Sequence, residues 1–141
     1  MSGLEVVMGE APALEGRCIC GGAGWWLAER PQDATTCNCT FCRRFGVMMA
    51  YAEDGPGGTI TGETRLYLWG PRAIALHLCP TCGSYLGWTE VARGGPRRFA
   101  ANLRLALDPD SVADIPVQPF EGLVSFEDLP KRGQCLADLW A

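Results

Sequence analysis

The chain has 141 residues, 48% of them apolar and 20% charged, with a formal charge of −4. That length suits one domain with a real core, and the apolar share excludes a mainly disordered chain. The acidic balance speaks against nucleic acid or an anionic membrane as partner, and no apolar run nears the ~20 residues of a membrane span. The basic residues are eleven arginines and one lysine, Lys131, a skew that reads as genomic bias rather than function.

Residues 1–16 read as a loose, acidic leader with three glutamates and no basic, apolar signal pattern. Residues 17–141 read as a single domain. Arg17-Cys18-Ile19-Cys20-Gly21-Gly22 opens it. Cys18 and Cys20 are expected on one face of a strand, with glycines that permit a tight turn. Trp25-Trp26-Leu27 is a short strand. The Pro31-Gln32-Asp33 loop leads to Cys37-Asn38-Cys39-Thr40-Phe41-Cys42-Arg43-Arg44. In an extended segment Cys37 and Cys39 point the same way, and a turn through Thr40 and Phe41 returns Cys42 to them.

Val47 to Tyr51 has the length and apolarity of a buried strand. Gly55-Pro56-Gly57-Gly58 is a turn by composition. Strands follow at Leu66–Trp69 and Ala73–Leu78, split by Gly70-Pro71, and the second runs into Cys79-Pro80-Thr81-Cys82-Gly83. Tyr85–Trp88 continues the pattern, and Gly94-Gly95-Pro96 forms a hairpin loop before Arg97–Leu103. Asp108-Pro109-Asp110 ends the regular part. The tail from Ile115, with Pro116, Pro119 and Pro130, reads as irregular, with one helical turn near Phe126–Leu129. Short strands between glycine and proline turns predict a mainly antiparallel β domain. Trp25, Trp26, Trp69 and Trp88 read as core. Arg93, Arg97 and Arg98 read as a solvated face or a small patch for an anionic ligand.

Eight cysteines need a cause. They fall as C-x-C, C-x-C-x2-C and C-x2-C, with Cys135 alone. Such clusters suit a metal better than long-range disulfides, and cytosolic thiols stay reduced, so the expected compartment is the cytosol. Cys18, Cys20, Cys79 and Cys82 make a four-thiolate set for structural zinc. The trio Cys37, Cys39 and Cys42 admits three readings. These are an open catalytic zinc with a corner for water or substrate, a structural site closed by Cys135 or His77, and a redox cluster without metal.

Three stretches in this order, Gly16–Gly21, Cys37-x-Cys39-x2-Cys42-Arg43-Arg44 and Cys79-Pro80-x-Cys82-Gly83-Ser84, resemble the glutathione-dependent formaldehyde-activating enzyme family, which includes centromere protein V. The resemblance spans about residues 16–130. It implies a zinc-bound fold of coiled antiparallel sheets, similar to methionine sulfoxide reductase type B. It implies two zinc ions: a structural one on Cys18, Cys20, Cys79 and Cys82, and a second on Cys37, Cys39 and Cys42. The activity it implies is that of S-(hydroxymethyl)glutathione synthase, a carbon–sulfur lyase, with a small thiol and an aldehyde as partners. Arg43 and Arg44 are then positioned to offset the site's negative charge and hold the thiol's carboxylates. Asn38 stands where the family has histidine, and asparagine cannot carry a proton near neutral pH. The competing class is a non-catalytic zinc-stapled module that binds a protein partner.

Overall fold

Short apolar runs between glycine and proline turns become strands here because each run is too short to bury a helical face. The computed structural model describes residues 11–70, 73–91 and 94–140. The leader through residue 10, Pro71 of the expected Gly70-Pro71 break, and Arg93 lie outside the described residues. A small antiparallel sheet contains β1 (Leu14–Arg17), β2 (Ala23–Leu27) and β5 (Gly58–Gly62), in the order β1-β2-β5. A larger sheet contains β3 (Ala34–Cys37), β4 (Met49–Glu53), β6 (Arg65–Trp69), β7 (Ile74–Leu78), β8 (Tyr85–Glu90), β9 (Arg98–Asn102), β10 (Val117–Glu121) and β11 (Glu127–Asp128). Its order is β11-β10-β3-β4-β9-β8-β7-β6. The chain is mainly β, with one short helix, α1 (Thr40–Phe45), and three 3-10 turns among the described residues.

The central strands of the large sheet are buried on both faces, so their sequences do not alternate between apolar and polar. Side chains alternate in direction along β4 and β9, while a bulge at Leu86 in β8 puts Tyr85 and Trp88 on one face. Ala50, Leu86, Phe99 and Ala101 face the small sheet and pack with Trp25 and Leu27. Met49, Tyr85, Trp88 and Ala100 face the other way and pack with Phe41, Cys42 and Val47. Asn102 and Thr89 are the buried polar residues of this frame among the described residues, and Asn102 ties the two sheets together. Its Nδ2 donates to the Tyr85 carbonyl at 2.9 Å, and its own carbonyl accepts from Trp25 Nε1 at 3.0 Å, so burial leaves those groups satisfied.

Several expectations need correction. Leu14–Gly16 belong to β1 rather than to a loose leader. Cys18 and Cys20 lie beyond the end of β1, in the β1–β2 turn, not on a strand face. Cys42 returns to Cys37 and Cys39 on the first turn of α1 rather than on a plain turn. The tail is not irregular: β10 pairs in parallel with β3, Val117 opposite Ala34 and Phe120 opposite Cys37. The stretch expected as a helical turn contains β11, and Phe126 before it has φ of +54°. Prolines misled here because Pro116 and Pro119 flank or enter a strand at positions whose N–H the ladder does not use.

Candidate metal centres

The first cysteine set joins the two sheets. Cys18 and Cys20 sit in the turn between β1 and β2, and Cys79 and Cys82 in the turn between β7 and β8. Each turn closes on a backbone bond, Gly21 N–H to the Cys18 carbonyl at 3.0 Å and Gly83 N–H to the Cys79 carbonyl at 2.9 Å. Gly21 and Gly83 both need positive φ, +81° and +79°, which glycine adopts without strain. The four sulfurs lie within 4.8 Å of one another. Cys20 Sγ is 3.6 Å from both Cys18 Sγ and Cys79 Sγ. A tetrahedron with metal–sulfur bonds of about 2.3 Å has edges of about 3.8 Å, so the set fits a zinc-sized ion.

Backbone and hydroxyl donors are aimed at these sulfurs. Ala23 N–H reaches Cys18 Sγ at 3.4 Å and Cys82 N–H reaches Cys79 Sγ at 3.5 Å. The Ser84 hydroxyl lies 3.2 Å from Cys82 Sγ. That hydroxyl, helped by the amides of Cys20 and Ser84, holds the Cys82 thiol down to about 5. At Cys20 the Gly22 amide favours the thiolate, but the Cys79 and Cys18 sulfurs beside it outweigh that and push the thiol up to about 11. One thiol ionises easily and its neighbour then resists, which is how four sulfurs behave when they lack the cation that would balance them.

The second set forms where β3 ends. Cys37 is the last residue of β3, Cys39 caps α1, and Cys42 lies within it. The sulfurs again lie within 4.8 Å of one another. Cys39 N–H donates to Cys37 Sγ and Cys42 N–H to Cys39 Sγ, both at 3.4 Å. Gly46, at φ +67°, ends the helix and returns its N–H to the Cys42 carbonyl at 2.9 Å. Burial, then the neighbouring Cys39 charge, push the Cys42 thiol far above its ordinary value, and burial also raises Cys37. Among the described residues no fourth histidine, cysteine, aspartate or glutamate joins this trio. Both sets could hold metal ions, and their all-sulfur composition suits zinc.

The two candidates for closing the second site are engaged elsewhere. His77 Nδ1 lies 2.8 Å from Thr64 Oγ1 and Nε2 lies 3.0 Å from Thr89 Oγ1, so both ring nitrogens have hydroxyl partners within the sheet. Cys135 opens the last 3-10 turn and bridges to Pro116. Arg43 and Arg44 follow Cys42 on α1, and both are exposed. Arg97 pairs with Asp54 at 2.7 Å, and Arg98 pairs with Glu90 while lying over the Tyr51 and Trp88 rings. Those two arginines are therefore partnered rather than a bare anion patch. Trp25 and Trp88 are core as expected, while Trp26 and Trp69 are only partly buried.

No family model matches the chain, and no curated protein matches it. A crystal structure of a Rhodobacter sphaeroides protein, from a structural genomics programme, is similar. It is 27% identical, with a TM-score of 0.56, over 74% of this chain and 99% of that one.

The tail supplies site residues that sequence reasoning missed. Asn38 Oδ1 accepts the Gly122 N–H at 2.7 Å, and its Nδ2 donates to Glu121 Oε2 at 3.1 Å. Asn38 thus ties the thiol motif to the end of β10. Glu121 also accepts the N–H groups of Leu123, Val124 and Ser125 at 2.9, 3.0 and 2.7 Å. Gly122 lies so close to the motif that a Cβ would collide with Cys37 Sγ and sit 3.2 Å from Cys39 Cβ. No spacing rule links Gly122 to cysteines some eighty residues earlier; only the parallel strand pair does.

Two outcomes follow. Gly122→Ala must push Cys37 aside, at roughly 1–3 kcal/mol for overpacking. Metal retention at the second site should fall about 10–100-fold in chelator competition, with the first site unaffected. For Glu121, the Ser125 and Leu123 amides hold the carboxyl down to about 2, from 4.5. A depressed folded value means this support is complete above pH 4.5 and fades as pH falls toward 2. In denaturant titrations, the gap between Glu121→Gln and the unaltered protein should therefore shrink across that window.

Proposed function

We propose that the chain is a zinc-dependent enzyme that joins a small thiol to an aldehyde, or cleaves the resulting carbon–sulfur bond, as the resemblance to the formaldehyde-activating family implies. The observation that carries this reading is that, among the described residues, no fourth histidine, cysteine or carboxylate joins the trio Cys37, Cys39 and Cys42. Three protein ligands leave room for substrate, whereas four close a structural site. Cys18, Cys20, Cys79 and Cys82 are then the structural set, and the two sets hold two zinc ions per chain. Reduced, clustered thiols fit a reducing compartment such as the cytosol.

Zinc at the second set would lower the pKa of a fourth sulfur and keep it a ready nucleophile. The chain's own residues do the rest. Cys37, Cys39 and Cys42 hold the site, and the Cys39 and Cys42 amides polarise two of the sulfurs. The aromatic layer of Phe41, Trp69, Tyr85 and Trp88 keeps water from the buried Cys42. Arg43 and Arg44, on the same helix and open to solvent, bind the carboxylates of an acidic thiol such as glutathione. In the net reaction the thiol S–H adds across the carbonyl. A C–S bond forms, the C=O π bond breaks, and the thiol proton ends on oxygen.

The test is the visible spectrum of the cobalt-substituted protein with and without glutathione. A new sulfur-to-cobalt charge-transfer contribution from one of two sites is expected. An unchanged spectrum at saturating glutathione removes the reading. The exposed edge strand β6, with Leu66 and Tyr67 each 56% exposed, favours a second reading as a zinc-stapled module that binds a protein. In that case both metals should resist a chelator equally.

A further inference from the structure

The hydroxyl of Tyr85 is buried and has no hydrogen-bond partner among the described residues. The residue is only 4% exposed. Leaving such a group unpaired is costly, and in a folded protein it commonly marks the place of a ligand, ion or water. Its ring is held from two sides. Phe45 stacks on it with centroids 5.0 Å apart, and Phe41 meets it edge-on at 6.0 Å. Both rings come from α1, the helix that carries Cys42.

Tyr85 also follows closely after the first cysteine set, yet it belongs to the second. Strand alternation sends Leu86 toward the small sheet and Tyr85 to the opposite face, into the layer that contains Cys42 and packs against Cys37 and Cys39. A phenol ionises only at about pH 10, so at neutral pH the group is a neutral donor. The Cys37 and Cys39 sulfurs take their donors from backbone amides, and Tyr85 bonds to none of the three. A buried O–H in the layer that holds Cys42 therefore has no acceptor among the described residues.

We propose that the Tyr85 hydroxyl donates to an oxygen of the ligand entering the Cys37, Cys39 and Cys42 site, and that this oxygen is the carbonyl oxygen of the aldehyde. This inference rests on the thiol-addition reading above. As the C–S bond forms, the carbonyl π electrons move onto oxygen and the bond from Tyr85 strengthens. The thiol proton finishes on that oxygen, and Tyr85 keeps its own. The neighbouring side chains Phe41, Val47, Trp69 and Trp88 are aromatic or aliphatic.

The test uses Tyr85→Phe in the full chain. With zinc bound, addition of glutathione or 2-mercaptoethanol to formaldehyde and acetaldehyde should slow about 10²–10³-fold in kcat, the usual effect of removing a donor to a developing oxyanion. The thermal midpoint should not fall, since an orphaned hydroxyl is what was removed. With cobalt bound, the spectrum without ligand should match the unaltered protein, while formamide, an unreactive carbonyl probe, should bind about tenfold more weakly. An unchanged kcat beside an active unaltered protein overturns the inference. So does a shifted ligand-free cobalt spectrum, which would place the hydroxyl on a cysteine sulfur. If the unaltered protein catalyses neither addition, the thiol-addition reading fails by itself. The formamide titration then decides Tyr85, and equal affinities in the two proteins overturn its role.

Discussion

Cys79→Ser should leave the chain unfolded. Cys79 is 4% exposed and stands at the tip of the β7–β8 hairpin, while its partner Cys18, equally buried, stands at the tip of β1–β2. A metal bound by Cys18, Cys20, Cys79 and Cys82 closes a loop over the residues between Gly21 and Leu78 and pins the small sheet to the large one. Structural zinc sites in small modules contribute on the order of 10 kcal/mol, comparable to the roughly 5–15 kcal/mol that separates most folded domains from their unfolded chains. Losing one sulfur also leaves three thiols, one of them the buried Cys18, around an incomplete set. Far-UV circular dichroism with a zinc assay should report loss of cooperative unfolding and of both metals. A cooperative transition near the unaltered midpoint would show that the set is not a clamp.

At the second set a similar exchange should have the opposite signature. Cys42→Ser keeps the backbone N–H that donates to Cys39 Sγ, the Gly46 cap on the helix and the whole first set. The fold should hold. Bound zinc should drop from two per chain to one, and the rate of hemithioacetal formation should fall more than about 10²-fold, since loss of mere supporting partners around a metal already costs 10–100-fold. An unchanged rate in a fully folded variant would remove the catalytic reading and leave a stapled scaffold. Together the two serine variants separate a clamp from a reactive site on the same chain.

Much of this was legible in advance because closely spaced cysteines cluster locally. The spacing C-x-C-x2-C brings three sulfurs together with almost no help, and Cys79-x2-Cys82-Gly83 announces a turn around a metal. Most of the strands from Trp25 to Leu103 were legible from short apolar runs punctuated by glycine and proline. The tail was not. Val117-Gln118-Pro119-Phe120 looks broken by proline, yet it forms a strand because its partner β3 runs parallel and the proline falls where no N–H is needed. His77, set two residues before Cys79, invited a role at a metal. A register shift after it and hydroxyl partners on both nitrogens keep it a residue of the sheet.

The sequence alone determined the donor atoms: which sulfurs exist, and that they fall along the chain as two pairs, a trio and a lone Cys135. Such close spacing matters because a few covalent bonds restrict where neighbouring side chains can point. Which distant turns meet was decided only by the fold. Sheet pairing brings Cys18 to Cys79, seats Gly122 against Cys37 and puts Tyr85 in one layer with Cys42, and these approaches depend on strand order and register, which no local pattern encodes.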